Sequence, residues 1–75
     1  MSRHELDCRR LLCPMPVIRT QNRVAELAPG DELAVTCTDP GAAKDIPAWV
    51  AKARHEFLGA ESLEGGTRFV CRKAR

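Results

Sequence analysis

The spacing of its turn-forming residues limits this chain to short secondary-structure elements. Proline disrupts a helix interior and is excluded from central strands, so it marks the boundaries of elements. Within 75 residues such signals recur at Cys13-Pro14-Met15-Pro16, Pro29-Gly30, Asp39-Pro40, Asp45-Ile46-Pro47 and Gly65-Gly66. Each interval has room for one helix or one strand. We therefore predict a single domain over residues 1–75, with a thin core and its function at the surface.

Hydrophobic periodicity assigns the elements of the first half. Polar and apolar residues alternate over 4–8, and Leu33, Val35 and Cys37 alternate with Ala34 and Thr36, which predicts two strands. Between them, Val17, Val24 and Ala28 recur at helical spacing, which predicts a first helix that continues through residue 28.

The middle of the chain carries two helix-start signals. Asp39-Pro40 has the pattern of an N-cap followed by proline at the first helical position, and Asp45-Ile46-Pro47 repeats it six residues later. We expect a short helical turn at 40–44 and a longer helix from about residue 46, which Gly59 ends. The core stripe predicted for that helix is Ile46, Val50, Ala53 and Phe57.

The C-terminal segment has the pattern of a β-hairpin. Gly65-Gly66 predicts a two-residue turn between strands at 61–64 and 67–73. The residues that then share a face are Leu63 with Val70, and Phe69 with Cys71. The sequence leaves open which face meets the helices, because a change of one residue in loop length would alter the pairing.

The predicted element order is therefore β-α-β-α-β-β. A right-handed strand–helix–strand crossover joins parallel strands, so the first two strands are expected to be parallel. Both helices can lie on the same side of the sheet. We predict an α/β (α+β) two-layer sandwich, in which a mixed four-stranded sheet carries two helices on one face.

The segment Cys13-Pro14-Met15-Pro16 most directly indicates chemistry. We place Cys13 at the N-cap of the first helix, so that Pro14 is its first residue and Pro16 its third. A missing N–H costs nothing there, because the first amides of a helix have no intrahelical acceptor. The amide of Met15 would remain free to face the Cys13 Sγ atom. Pro14, Met15 and Pro16 are thus predicted to hold the sulfur in one orientation.

The same position favours the thiolate of Cys13. The positive end of a helix stabilises an anion by roughly 0.3–1 kcal/mol, which would raise the thiolate fraction at pH 7 from about 3% to about 15%. Arg9, Arg10 and Arg19 are candidates to add positive charge. Such a thiol suits reversible sulfur exchange better than hydrolysis, which needs a positioned base. For an isolated Cys-Pro pair, the alternative is a buried structural cysteine.

These residues resemble the pattern of the TusA/SirA family, which is Leu-Asp-x-x-Gly-Leu-x-Cys-Pro-x-Pro near the N-terminus. The resemblance extends from about Leu6 to Lys73. The matching residues are Leu6-Asp7, Leu11, Cys13-Pro14-Met15-Pro16, Pro29-Gly30, Asp39-Pro40 and Asp45-Ile46-Pro47. The resemblance implies the same β-α-β-α-β-β sandwich, and a sulfur carrier rather than a stand-alone turnover enzyme.

The resemblance also implies a role for Cys13. This cysteine would receive sulfane sulfur from a cysteine desulfurase or a rhodanese and hold it as a covalent persulfide, with no other cofactor. It would then pass the sulfur to a reactive cysteine of a partner protein. In relatives the relay serves tRNA 2-thiouridine synthesis, molybdenum-cofactor assembly or sulfur oxidation.

One position departs from the family pattern, because Arg10 stands where the family has glycine. Glycine there indicates a backbone that tolerates positive φ, so Arg10 implies an altered loop or a more ordinary dihedral angle. Candidate partner-binding residues are Arg9, Arg10, Arg19, Asp45 and Trp49. The alternative role of Asp39 and Asp45 is helix capping, and that of Trp49 is half-burial beside the core stripe.

Other functions remain open. Cys8 and Cys13 are candidates for a thiol redox switch. A metal site is not expected, because the four cysteines include no Cys-x-x-Cys pair. A non-catalytic RNA-binding or regulatory module is a further alternative. However, an isoelectric point near 8.5 and three aromatic residues give little support to direct nucleic-acid binding.

The expected compartment is the cytoplasm. We find no run of about 18 apolar residues and no apolar segment typical of a secretory signal. No membrane contact is therefore expected. In the cytoplasm the cysteines, including Cys37 and Cys71, are expected to be thiols rather than structural disulfides.

Overall fold

The computed structural model describes residues 2–12 and 14–74. Within these ranges the secondary structure follows the predicted order. The elements are β1 (Arg3–Cys8), α1 (Met15–Ala25), β2 (Glu32–Cys37), α2 (Ala42–Lys52), β3 (Glu56–Leu63) and β4 (Gly66–Arg72). The predicted α+β class is confirmed. In the described part of the chain, neither helix has the length and apolar character needed to cross a membrane.

The four strands form one mixed sheet in the order β1-β2-β4-β3. β1 and β2 are parallel, as predicted, and Cys8 lies beside Cys37 at their C-terminal ends. β4 runs antiparallel to both β2 and β3. The loops that follow β1 and β2 therefore leave the sheet at the same end, where the Arg10 amide donates a hydrogen bond to Thr38 Oγ1 at 2.9 Å.

The helices cover one face of the sheet, and the apolar residues of that face form the core. Leu33, Val35 and Cys37 of β2 are buried there, and Phe69 and Cys71 of β4 lie beside them in the antiparallel register. Full burial of a side chain such as Phe69 contributes about 1.5–3 kcal/mol. The question left open by the hairpin pattern is thus answered: Phe69 and Cys71 face the helices.

The hairpin turn lies one residue earlier than predicted. Its two residues are Glu64 and Gly65, and Leu63 pairs with Gly66. Gly65 adopts a φ of 78°, which glycine tolerates. Gly66 begins β4 so close to β2 that a Cβ would lie 2.5 Å from the carbonyl oxygen of Cys37. Close to the turn, each β4 residue therefore pairs with a β3 residue two positions earlier than predicted, so the residues predicted to share a face still share it.

Helix α1 ends at Ala25, three residues before the predicted end. Ala28 precedes Pro29, and a residue before proline disfavours the helical conformation. The chain instead turns at Glu26, and Leu27 becomes buried. The buried stripe of α1 consists of Pro16, Thr20 and Val24. Thr20 is the one buried polar residue of this stripe, and its hydroxyl donates to the Pro16 carbonyl oxygen at 2.7 Å.

Helix α2 is one continuous helix, so the predicted division into a turn at 40–44 and a later helix is wrong. Its N-cap is Gly41, while Asp39 accepts a hydrogen bond from the Gly41 amide and caps the preceding turn. Asp45 lies in the first turn of α2, and Pro47 lies inside the helix. Pro47 removes one helical hydrogen bond without ending a helix that Ile46 and Val50 anchor in the core.

The predicted C-terminal end of α2 is also wrong. The helix ends at Lys52, and Arg54 takes the left-handed conformation after it, with a φ of 64°. The His55 amide donates to the Val50 carbonyl and the Arg54 amide to the Ala51 carbonyl, which is a Schellman motif. Phe57 and Gly59 belong to the edge strand β3, at an irregularity in its pairing with β4. The helical spacing of Phe57 was a coincidence, because its side chain is 38% exposed on the strand.

Candidate functional site

Cys13 itself lies outside the described residues, so the candidate site is the frame that surrounds it in sequence. This frame consists of the turn after β1 and the first turn of α1. Leu12 and Pro14, its two chain neighbours, are both exposed. The frame determines which backbone dipoles, charges and apolar side chains lie next to Cys13.

The turn after β1 is fixed by two hydrogen bonds. The Leu11 amide donates to the Cys8 carbonyl at 3.3 Å, and the Arg10 amide donates to Thr38 Oγ1. Arg10 has a φ of 68°. Positive φ at the third position of a four-residue turn is typical of type II, where glycine is favoured. The ordinary dihedral angle, one of the two alternatives expected for Arg10, is therefore not the one it adopts. For a non-glycine residue this conformation costs about 1–2 kcal/mol.

Helix α1 begins one residue later than predicted. Its N-cap is Pro14, whose φ of −95° and ψ of 11° are not helical, and its first residue is Met15. Cys13 therefore immediately precedes the N-cap, and Pro16 is the second helical residue. The Met15 amide donates to the Leu12 carbonyl at 2.9 Å. The Met15 amide is consequently not free, so the prediction that it would remain available to the Cys13 sulfur is wrong.

The two prolines of this segment have different environments. Pro16 is fully buried and anchors the helix start in the core, whereas Pro14 is exposed. Around them, Leu12 is 75% exposed, Met15 39% and Ile18 40%. Exposed apolar side chains in a group indicate a surface that contacts other molecules. The first turn of α1 contains no acidic residue.

The three predicted arginines differ in their contacts. Arg9 forms a fork on Asp7, with Nε at 3.0 Å from Oδ1 and Nη2 at 2.9 Å from Oδ2. The side-chain and backbone hydrogen bonds from Arg9 lower the pKa of Asp7 to about 2. Within residues 2–12 and 14–74, the Arg10 guanidinium makes no hydrogen bond or ion pair. Burial raises the pKa of the Cys8 thiol, and the positive charge of Arg19 partly offsets this effect.

The three other cysteines are buried thiols. Cys8, Cys37 and Cys71 are each at most 3% exposed. Burial raises the pKa of Cys8 and of Cys71, and it raises the pKa of Cys37 to about 12 with a smaller effect from the neighbouring Cys8. These thiols are therefore protonated at neutral pH and closed to large reactants.

Asp45 and Trp49, the remaining predicted contact residues, both lie on α2. Asp45 is half-buried in its first turn, at the end of the sheet where Arg10 also lies. Trp49 is half-buried against the core, and its ring is 5.7 Å from that of His55, which follows α2. Trp49 therefore points towards the opposite end of α2. Among the described residues, no group of three or more His, Cys, Asp or Glu side chains is arranged to hold a metal ion.

Two adjoining depressions lie beside the turn after β1. One has a volume of about 470 Å³ and is lined by Asp7, Arg9, Arg10, Thr38, Glu64 and Gly65. The other has a volume of about 340 Å³, shares Asp7 and Arg9, and extends over the uncovered face of the sheet to Arg68. No local sequence signal pointed to Thr38 or Glu64, since only the sheet order brings the β3–β4 hairpin next to this loop.

Comparison with known proteins places these features in a family context. Residues 4–73 match the family described as sulfurtransferase TusA. The sulfur carrier protein TusA of Pseudomonas aeruginosa (strain UCBPP-PA14) is 38% identical over 68 residues, which cover 91% of this chain and 86% of that protein. The sulfur carrier protein TusA of Allochromatium vinosum is 31% identical over 70 residues, which cover 93% of this chain and 92% of that protein.

A longer relative is also similar. YrkF of Bacillus subtilis (strain 168), described as a candidate sulfur carrier protein, is 40% identical over 68 residues. The match covers 91% of this chain but 37% of the length of YrkF. This chain therefore corresponds to less than half of that relative.

Proposed function

This chain belongs to the TusA sulfurtransferase family, and we propose that it carries sulfane sulfur as a persulfide on Cys13. The observation that carries the proposal is the burial of the other three thiols. Because Cys8, Cys37 and Cys71 are enclosed and their pKa values are raised, Cys13 is the remaining cysteine for exchange with another protein. Its two chain neighbours are exposed, which supports access by a partner.

The proposed transfer consists of two balanced exchanges. In the first, the Cys13 thiolate attacks the outer sulfur of a donor persulfide, so that a Cys13 persulfide forms and the donor leaves as a thiolate. In the second, an acceptor thiolate attacks the outer sulfur of the Cys13 persulfide and releases the Cys13 thiolate. The positive end of α1 favours the anion at the start and end of this cycle, by about 0.3–1 kcal/mol.

The proposed partners follow from these two exchanges. A cysteine desulfurase or a rhodanese would supply the donor persulfide, and a protein with a reactive cysteine would accept the sulfur in the cytoplasm. The acceptor decides whether the sulfur reaches tRNA 2-thiouridine, the molybdenum cofactor or a sulfur-oxidation system. The alternative thiol switch between Cys8 and Cys13 has less support, because Cys8 is fully buried beside Cys37.

Mass spectrometry of the loaded protein tests the proposal. After incubation with a cysteine desulfurase and L-cysteine, the peptide that contains Cys13 should gain the mass of one sulfur atom. The Cys13→Ala variant should remain unloaded, whereas Cys71→Ala, the matched control for loss of a thiol, should load as the wild type does. Sulfur found on the Cys8, Cys37 or Cys71 peptides of the folded protein, and absent from Cys13, would refute the proposal.

A further inference from the structure

We propose that Arg10 is a specificity-determining residue, which contacts an acidic side chain on the protein that loads Cys13. The inference rests on the proposed function and names the chemistry of its docking partner. The expected partner surface presents a carboxylate beside an apolar patch. Three independent features of the turn after β1 lead to this proposal, and they concern its backbone, its charges and its position.

The backbone of Arg10 is strained for an arginine. Its φ of 68° lies in the left-handed region, which L side chains disfavour. Glycine would adopt the same turn without that strain, and the two hydrogen bonds of the turn involve only main-chain amides of this segment. The fold therefore has no need of the Arg10 side chain, which can serve a contact outside the fold.

The guanidinium of Arg10 is open to a partner, whereas that of Arg9 is partly occupied within the chain. Its Nε and Nη2 groups are engaged by the Asp7 carboxylate. Arg10 is exposed, and its guanidinium makes no hydrogen bond or ion pair with any described residue. It lines the depression of about 470 Å³ together with Glu64 and Asp7, and the Asp7 carboxylate is already paired with Arg9. A guanidinium in such a place binds a carboxylate through paired hydrogen bonds.

The position of Arg10 couples this contact to Cys13. The turn at residues 8–11 is closed by its own hydrogen bond, and Leu12 follows it directly. Leu12 is an exposed apolar side chain, and so are Met15 and Ile18, which lie on one face of α1 at a spacing of three residues. A partner that covers these side chains to reach Cys13 would place the edge of its own contact surface over Arg10. The contact thus lies at the edge of the docking surface, where charges control encounter and selection of partners.

Arg54 provides a matched control. It is also an exposed arginine in the left-handed conformation, with a φ of 64°. It lies just before β3, whose first residue, Glu56, pairs with Arg72, and Arg72 pairs with Glu32 at the start of β2. Arg10 follows the other ends of the strands, where Cys8 pairs with Cys37. The two arginines therefore share a backbone conformation at opposite ends of the sheet.

The experiment compares Arg10→Gly with Arg54→Gly in sulfur loading from a cysteine desulfurase and L-cysteine. Both variants relieve strain, so both should melt at a temperature about 4 °C higher than the wild type. Arg10→Gly should raise the KM for the carrier about fivefold, the effect expected for an exposed ion pair, with an unchanged kcat. Arg54→Gly should keep the wild-type KM, and Arg10→Lys should restore part of the loss.

Two further measurements separate the possible outcomes. Alkylation of Cys13 by neutral iodoacetamide should proceed at the wild-type rate in Arg10→Gly, since the proposed contact is made with the partner. A slower alkylation would show that Arg10 acts on the thiol, as the sequence predicts, and would overturn the inference. A wild-type KM for Arg10→Gly, or an equal loss in Arg54→Gly, would overturn the inference while the carrier function stands. Loading of Cys13→Ala would instead overturn the proposed function itself.

Discussion

Both helices of this protein begin close to a proline, yet their first turns carry different charges. At the start of α2, the amides of Ala42, Ala43 and Lys44 each donate to a carbonyl of the preceding turn. Asp39 accepts from Gly41, and Asp45 adds a negative charge in the first turn. The positive end of this helix is therefore compensated within the chain.

The start of α1 lacks such a negative charge, although its Met15 amide also donates to a carbonyl of the preceding turn, that of Leu12. Like α2 it has no side-chain cap among the described residues, but its first turn contains no acidic residue, and Pro16 contributes no N–H. Burial of Pro16 gives the turn its rigidity. The difference shows that a helix start can be held by packing without an acidic residue in its first turn. Its positive potential then remains available to an external anion, which at this place would be the Cys13 thiolate or persulfide.

The largest expected effect is the loss of the packing that holds the start of α1. Pro16→Ala removes buried ring atoms and adds freedom to the unfolded chain, so we expect about 2 kcal/mol of destabilisation. Sulfur loading should also slow, because the turn becomes less rigid. Pro14→Ala, at the exposed neighbouring proline, should cost less than about 1 kcal/mol. Thermal denaturation measures both changes, and equal losses would contradict the anchoring role of Pro16.

A second change makes the start of α1 resemble that of α2. Met15→Glu places a carboxylate at the first residue of α1, where it should stabilise the helix but compete with a thiolate at Cys13. Alkylation of Cys13 at pH 7 should slow by about two- to fivefold relative to Met15→Gln, which matches its size without the charge. Iodoacetamide kinetics across a pH series should show the profile displaced to higher pH. An unchanged profile would show that the helix end does not act on Cys13.

The reverse change applies to α2. Asp45→Asn removes the acidic residue from its first turn and should destabilise the protein by about 0.3–1 kcal/mol. Urea denaturation measures the change. Sulfur loading should remain at the wild-type rate if the role of Asp45 is confined to its own helix. A loading defect without loss of stability would instead support the partner contact predicted for Asp45.

The smallest effect concerns the pair formed by Asp7 and Arg9. Because the folded-state pKa of Asp7 is lowered from 3.8 to about 2, its contribution to stability is present above pH 3.8 and disappears as the pH falls to about 2. Asp7→Asn should therefore lower stability slightly at neutral pH and match the wild type near pH 2. Both side chains are more than half exposed, so the difference should be small. Urea denaturation at several pH values checks the convergence.

Much of this architecture follows from local patterns in the sequence. Alternation identifies β1 and β2, and the glycines identify the hairpin. The errors arise where two patterns compete. Asp45-Ile46-Pro47 has the signal of a helix start, but Ile46 and Val50 pack into the core together with Ala42, which draws the earlier residues into the same helix. Phe57 extends a helical spacing beyond Arg54, whose left-handed conformation already ends the helix.

The candidate site is less accessible to sequence reasoning than the fold. The pattern of residues 13–16 indicates a helix start but cannot place the boundary within one residue, because Pro14 suits both the N-cap and the first helical position. The contacts of Arg9 and Arg10 depend on which arginine reaches Asp7. Which arginine does so depends on the conformation of the turn after β1, where Thr38, in the loop after β2, accepts a hydrogen bond from the Arg10 amide. Such a contact over a sequence separation of 28 residues has no local signature.

The three enclosed thiols also make this domain an internal reporter of its own opening. Cys8 lies on β1, Cys37 on β2 and Cys71 on β4, and each can react with a thiol reagent only when its strand separates from the helices. The reaction rate at each position therefore measures the free energy of local opening for a different strand. In a cell, the same protection would fail first in a damaged or partly unfolded molecule, which would then bind sulfur at the wrong places.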